Sequence, residues 1–135
     1  MILRSCTMAD LSLLEEWDPN GEMWVGDKHE WLANRVGDRS VYMFIGEFEV
    51  AQNPVAWGAI KVERGFTLSW FAAPLYRQIG NGTKIAQLMA QMVRPPIRAK
   101  INANRPYSER IAIRLGMRPA GGLLETGEKW WVAYQ

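Results

Sequence analysis

Residues Arg77–Lys84 read "RQIGNGTK", set between the apolar run "FTLSWFAA" (66–73) and the helical pattern "IAQLMAQM" (85–92). Two glycines and an asparagine thus stand where a strand hands over to a helix. Glycines at such a junction let successive backbone N–H groups approach an anion, and the helix dipole favours its charge. They also serve as plain loop residues. A Walker loop is excluded, because Thr83 precedes Lys84 and the glycine loop is too short. A dinucleotide fingerprint is excluded too: Ile85 stands where the third glycine would fall, and the strands before it read as antiparallel.

Outward from this junction the periodicity changes in a regular way. "ILRS" (2–5) reads as a first strand. Thr7 and Asp10 form a capping box ahead of Leu11, Leu14 and Trp17 at helical spacing. Asp27 and Glu30 repeat it for "KHEWLANRV" (28–36), with Gly37 at the C-cap. "SVYMFIGEFEV", "PVAWGAIKVE" and "FTLSWFAA" then form an antiparallel meander, with a two-residue turn at Arg64-Gly65. Ile85, Leu88, Met89 and Met92 predict one face of a helix that Pro95 and Pro96 end. "IRAKINA" is a strand, "PYSERIAIRLG" a helix and "KWWVAYQ" a last strand. The order β-α-α-β-β-β-α-β-α-β predicts an α/β (α+β) domain over residues 1–135. Its sheet is mixed and mostly antiparallel, with strands 4 and 5 parallel and helices on both faces.

Composition narrows the function classes. The chain has 135 residues, 48% hydrophobic and 22% charged, as a folded globular domain requires. The start lacks a secretory layout and no apolar run is long enough to span a bilayer, so a cytoplasmic protein is expected. Cys6 is the single cysteine, which excludes a disulfide frame and a cysteine-based metal site. Residues 1–63 hold five Lys/Arg against eleven Asp/Glu, net −6, whereas residues 64–135 hold eleven against three, net +8. Such a split suits two ligands of opposite charge, or simply two solvated faces. No nucleic-acid-binding module is present.

Arg77-Gln78-Ile79-Gly80-Asn81-Gly82 fits the pattern Arg/Gln-x-x-Gly-x-Gly/Ala at every fixed position. With "WFAAPLYRQIGNGTKIAQLM" before and within the helix, and "NANRPYSERIAIRLGM" after it, the sequence resembles the GNAT superfamily of N-acetyltransferases over nearly its whole length. The resemblance implies that strands 4 and 5 splay apart to admit the pantetheine arm of acetyl-CoA. It implies main-chain contacts from Phe71 and Ala72 to that arm, and from Gln78, Ile79, Gly80, Asn81, Gly82 and Thr83 to the pyrophosphate beside Arg77. Asn104 stands near the family's asparagine position, which Arg105 occupies. Ala112 takes the place of the tyrosine that often protonates the leaving thiolate. Strand 4 lacks the glutamate that some members use as a base.

The expected activity is acetyl transfer from acetyl-CoA to a primary amine of a small molecule or peptide, with Tyr107 or Ser108 assisting the thiolate. Glu22, Trp24, Glu30 and Trp31 are candidates for the acceptor side, the acids drawing a cationic amine to the pocket rim. The alternative is a non-catalytic GNAT-like binding or assembly module, as among bacteriophage internal proteins. No membrane or metal is implied, nucleic acid is a distant third, and a homodimer is open to it. His29 is expected to be solvated, Cys6 buried, the remaining tryptophans core, and Glu47, Glu49 and Glu63 solvent-facing.

Overall fold

The central strand β3 (Pro54–Val62) carries six consecutive buried residues, Val55 to Ile60, because helices cover both faces of the sheet around it. The computed structural model describes residues 1–135 apart from Glu22, Val25 and Gln78. Its other strands are β1 (Ile2–Ser5), β2 (Val41–Glu47), β4 (Phe66–Ala72), β5 (Ile97–Asn102), β6 (Arg118–Ala120) and β7 (Glu128–Ala133). They form one sheet of order β1-β2-β3-β4-β5-β7-β6. All neighbours are antiparallel except β4 and β5, which the intervening helix makes parallel.

Four helices flank the sheet: α1 (Leu11–Trp17), α2 (Lys28–Val36), α3 (Asn81–Ala90) and α4 (Pro106–Arg114). Leu14 and Trp17 of α1 and Leu32 of α2 pack with Met43, Ile45, Trp57 and Phe71 on one face. Ile85, Ala86 and Met89 of α3 and Ile111 and Ala112 of α4 pack with Leu68, Trp70, Ile97 and Trp131 on the other. Alternation along β4 sends Leu68 and Trp70 to one core and Phe71 to the other, whereas β5 and β7 bury Ile97, Ala99, Ile101, Trp131 and Ala133 on the α3–α4 side alone. Helix α3 lies close on β3: a Cβ built on Gly58 would fall 2.7 Å from the Met89 sulfur.

Local chemistry explains the element ends. The Thr7–Asp10 capping box forms, but its turn is a 3-10 turn (Met8–Asp10) and the α-helix proper starts at Leu11. Asp27 accepts from the N–H groups of His29 and Glu30 at the start of α2. Helix α4 ends in a Schellman motif: Met117 N–H donates to Ala112 O at 2.9 Å, Gly116 N–H donates to Ile113 O, and Gly116 takes φ +80°.

Two sequence expectations change, and one strand is added to the expected order. Helix α3 stops at Ala90, so Met92 lies beyond it and is 52% exposed rather than on the buried face. The β3–β4 turn spans Glu63–Gly65, closed by Glu63 N–H to Gly65 O. Strand β6 pairs with β7 although Pro119 sits within it, because β6 is an edge strand whose outer side needs no donor. No helix among the described residues is long and apolar enough to cross a membrane.

Candidate active site

Strands β4 and β5 pair only at Phe66↔Ile97 and Thr67↔Arg98, and beyond that point they part. The ladder on the other edge of β4 shows which main-chain groups the fork leaves open. Glu63 N–H donates to Gly65 O at one end of the β3–β4 pair, and Ala73 N–H donates to Val55 O at the other. Alternation between these ends commits the odd residues of β4, Phe71 included, to β3. Leu68, Trp70 and Ala72 therefore turn their N–H and C=O groups towards the fork. On β5, Ala103 N–H donates to Gly127 O across the β7 edge, so Lys100 and Asn102 face the fork from the opposite side. Main-chain groups in such a gap need partners, and an extended ligand with amide groups supplies them. This corrects the expected pair: Ala72 faces the fork, but its partner there is Trp70, since the backbone of Phe71 is spent on β3.

A cavity of about 690 Å³ opens on the α3–α4 face of the fork. It is lined by Trp70, Phe71 and Ala72 of β4, by Gly82 of α3, and by Arg105 to Ser108 with Arg110 at α4. Arg77 joins them, its Nε donating to Ala72 O at 3.3 Å and its guanidinium lying 5.1 Å from the Phe71 ring centroid. Three arginines thus line this cavity, and among its described lining residues there is no carboxylate.

The N-terminus of α3 meets the same space. Gly80 takes φ +88° at the N-cap, a left-handed conformation natural to glycine, and no side chain caps the helix. The first bond of the helical ladder runs from Lys84 N–H to Gly80 O, which leaves the N–H groups of Asn81, Gly82 and Thr83 outside that ladder. The first turn holds no acidic residue, and exposed Lys84 adds a positive charge to the positive end of the dipole. Asn81 is buried, and its side chain serves the fold: Nδ2 donates to Tyr76 O at 3.2 Å. Ile79 is exposed, and Gln78 lies outside the described residues.

Tyr107 and Ser108, adjacent at the start of α4, have different surroundings. The Tyr107 ring packs against Gly82, and its hydroxyl is buried without a hydrogen-bond partner. Tyr107 therefore stands beside the N-terminal turn of α3. Ser108 lines the 690 Å³ cavity and also a second cavity of about 420 Å³. Trp70 and Arg105 border both as well, so these three residues mark where the cavities meet.

The second cavity opens towards the α1–α2 segment, with Met23 on its wall beside Ser69, Lys100, Asn102, Thr126 and Glu128. Glu128 is its one carboxylate among the described residues, with Oε1 accepting from Thr126 Oγ1 at 3.0 Å. Asp18 shapes the neighbouring segment by accepting from the N–H groups of Met23 and Trp24.

The acceptor-side candidates fall elsewhere. Trp24 is 3% exposed and packs against Trp31, Trp57 and Phe71, so it belongs to the core; it and half-buried Trp31 line neither cavity. Burying two indoles together stabilises the domain more than a solvated wall would. Glu30 is exposed on α2 and Glu22 lies outside the described residues. Asn104 sits exposed in the β5–α4 turn, where its N–H donates to the Asn102 side chain, and it lines neither cavity. Sequence reasoning passed over Trp70, Arg110, Lys100 and Glu128. Glu128 alone carried a signal, as one of only three acids after residue 63.

No family model matches the chain, and no curated protein sequence does. Solved structures do. A chimeric spermidine N-acetyltransferase from Vibrio cholerae superposes with a TM-score of 0.83 at 15% identity, covering 100% of this chain and 96% of that one. A domain from Methanocaldococcus jannaschii gives 0.82 at 14% identity over 99% and 97% of the two chains. A dodecameric form of the Vibrio cholerae spermidine enzyme gives 0.77 at 15% identity over 99% and 93%. The parallel, forked β4–β5 pair in a mostly antiparallel seven-stranded sheet, and these full-length superpositions, agree: the chain has the fold of the GNAT N-acetyltransferases.

Proposed function

We propose that the chain is an acetyl-CoA-dependent N-acetyltransferase acting on a primary amine of a small molecule or peptide. The observation that carries this reading is the fork, which joins a cavity lined by three arginines to one containing a carboxylate through Trp70, Arg105 and Ser108. Arg77, Arg110 and the open N–H groups of α3 suit the polyanionic end of the co-substrate, with the Tyr107 hydroxyl as a further donor. The main-chain groups of Trp70 and the N–H of Ala72 offer partners to its pantetheine amides, the Ala72 carbonyl being held by Arg77. The amine enters from the side of Glu128 and attacks the thioester carbonyl. A C–N bond forms, the C–S bond breaks, and the thiolate of CoA leaves.

Glu128 is the carboxylate available to take the ammonium proton, directly or through water, and Ser108 is the hydroxyl at the junction for the thiolate. Positioning two substrates on opposite sides of one sheet supplies most of the acceleration such a site needs. Self-association, as in the dodecameric neighbour, is compatible with this arrangement.

One observation favours the non-catalytic module: Ala112, at the place where the family resemblance calls for a proton-donating tyrosine, is fully buried against the core. Titration calorimetry with acetyl-CoA, followed by thiol release in the presence of amines, separates the two. Binding with turnover supports the transferase, binding without turnover supports the module, and no binding removes the cofactor reading.

A further inference from the structure

The charges around the Glu128 cavity do not match a polycation. Lys100 and Arg105 line it with Glu128, so its described walls carry two positive charges and one negative. Among the described residues none of the three is in an ion pair. Lys100 extends over the Trp130 ring, 5.4 Å from its centroid, on the same face of the sheet as Glu128. Arg98 lies 5.0 Å from the same ring but does not line the cavity, and its Nη2 donates to Glu63 O at 2.8 Å. Strand alternation puts Lys100, Asn102, Glu128 and Trp130 on one face, the face towards which Met23 closes the cavity.

We propose that the acceptor is a small amine that also carries a carboxylate, its amine directed to Glu128 and its carboxylate to Lys100 and Arg105. This rests on the transferase reading above and names the substrate class of that site. On the described walls a polyamine meets two like charges for each opposite one, a repulsive arrangement that selects against it. The cations have a second effect on the chemistry. They disfavour an ammonium ion nearby and so lower the acceptor's pKa, which increases the neutral amine that can attack. The amine nitrogen gains the acetyl carbon, its proton passes to Glu128 and on to solvent, and CoA departs as a thiolate that is then protonated. A cavity of about 420 Å³ holds an amino acid-sized molecule. A short peptide with a free carboxylate presents the same chemistry from its exposed end.

The test compares matched acceptors by thiol release from acetyl-CoA: alanine against ethylamine, phenylalanine against phenethylamine, the dipeptide of alanine, and spermidine. The carboxylate-bearing member of each pair is expected to show the higher kcat/KM, by about tenfold to a hundredfold, the worth of a charge-assisted hydrogen bond. Preference for the dipeptide over alanine assigns the carboxylate to a peptide. Lys100→Glu should abolish the preference chiefly through KM, and Lys100→Gln should reduce it, with acetyl-CoA calorimetry confirming that each variant folds. Equal or better turnover of ethylamine, phenethylamine or spermidine overturns the proposal, as does a preference that survives Lys100→Glu. Bound acetyl-CoA with no turnover of any carboxylate-bearing amine also overturns it. Failure to bind acetyl-CoA overturns the transferase reading itself, and this proposal falls with it.

Discussion

Gly82 and Tyr107 pack face to face across the α3–α4 contact: a Cβ built on Gly82 would lie 3.3 Å from Tyr107 Cε1 and 3.2 Å from Ile111 Cδ1. The absent side chain at this buried position therefore lets two helices meet. Gly82→Ala should overpack the contact and destabilise the domain by about 1–3 kcal/mol. Chemical denaturation checks this. An unchanged midpoint would show that α4 yields freely at this point.

Gly80 offers the cleaner probe of anion binding, because nothing lies within 4 Å of the Cβ it lacks. Its positive φ is tolerated better by Asn and Asp than by other residues. Gly80→Asn and Gly80→Asp should thus fold alike and differ by one charge. The Asp variant is expected to bind acetyl-CoA about tenfold more weakly than the Asn variant, with a gap that narrows at high salt. Equal affinities would place the phosphates elsewhere.

Ser108 stands where the two cavities meet. If its hydroxyl assists the departing thiolate, Ser108→Ala should lower kcat by about ten- to a thousandfold while leaving the affinity for acetyl-CoA nearly unchanged. A change confined to KM would make Ser108 a binding residue instead.

The N-terminal clip adds a pH dependence. Arg4 grips Asp10 through its two terminal guanidinium nitrogens, Nη1 at 2.9 Å and Nη2 at 2.8 Å, while Thr7 N–H donates to the same carboxylate at 2.9 Å. Burial alone would raise the Asp10 pKa, but Arg4 and the Thr7 N–H together hold it below its ordinary value. A carboxylate with a depressed folded pKa stabilises the fold above its unfolded pKa, about 3.9, and loses that contribution as pH falls through the lower folded value. Asp10→Asn should cost about 1–3 kcal/mol at pH 7, towards the lower end because Arg4 is partly exposed. Below about pH 4 the difference between wild type and variant should shrink. Urea midpoints measured from pH 7 to pH 2 decide this, and a gap that stays constant would contradict it.

The Thr7–Asp10 capping box, the Asp27 N-cap, the helix α2 bounds, the meander and the parallel β4–β5 pair were legible along the chain, because each depends on neighbours two to five residues away or on the order of elements. Hydrogen bonds from nearby N–H groups to the side-chain oxygens of Thr7, Asp10 and Asp27 are local, and a connecting helix dictates the direction of β5. The glycine stretch was legible for the same reason, since a flexible junction before an amphipathic helix is a local pattern. Which backbone groups face the fork was not, because that follows from the ladder's phase against β3, fixed by the Glu63–Gly65 and Val55–Ala73 bonds. Trp24 and Trp31 read as acceptor-side candidates, whereas the sheet brings Trp57 against both and Phe71 against Trp24. The charge of the acceptor cavity was hidden most deeply. Residues 1–63 are acidic in sequence, yet the described wall on that side carries Lys100, Arg105 and Glu128, all from the basic half. Net charge adds along the chain, whereas a cavity feels only the few side chains that register and strand alternation point into it.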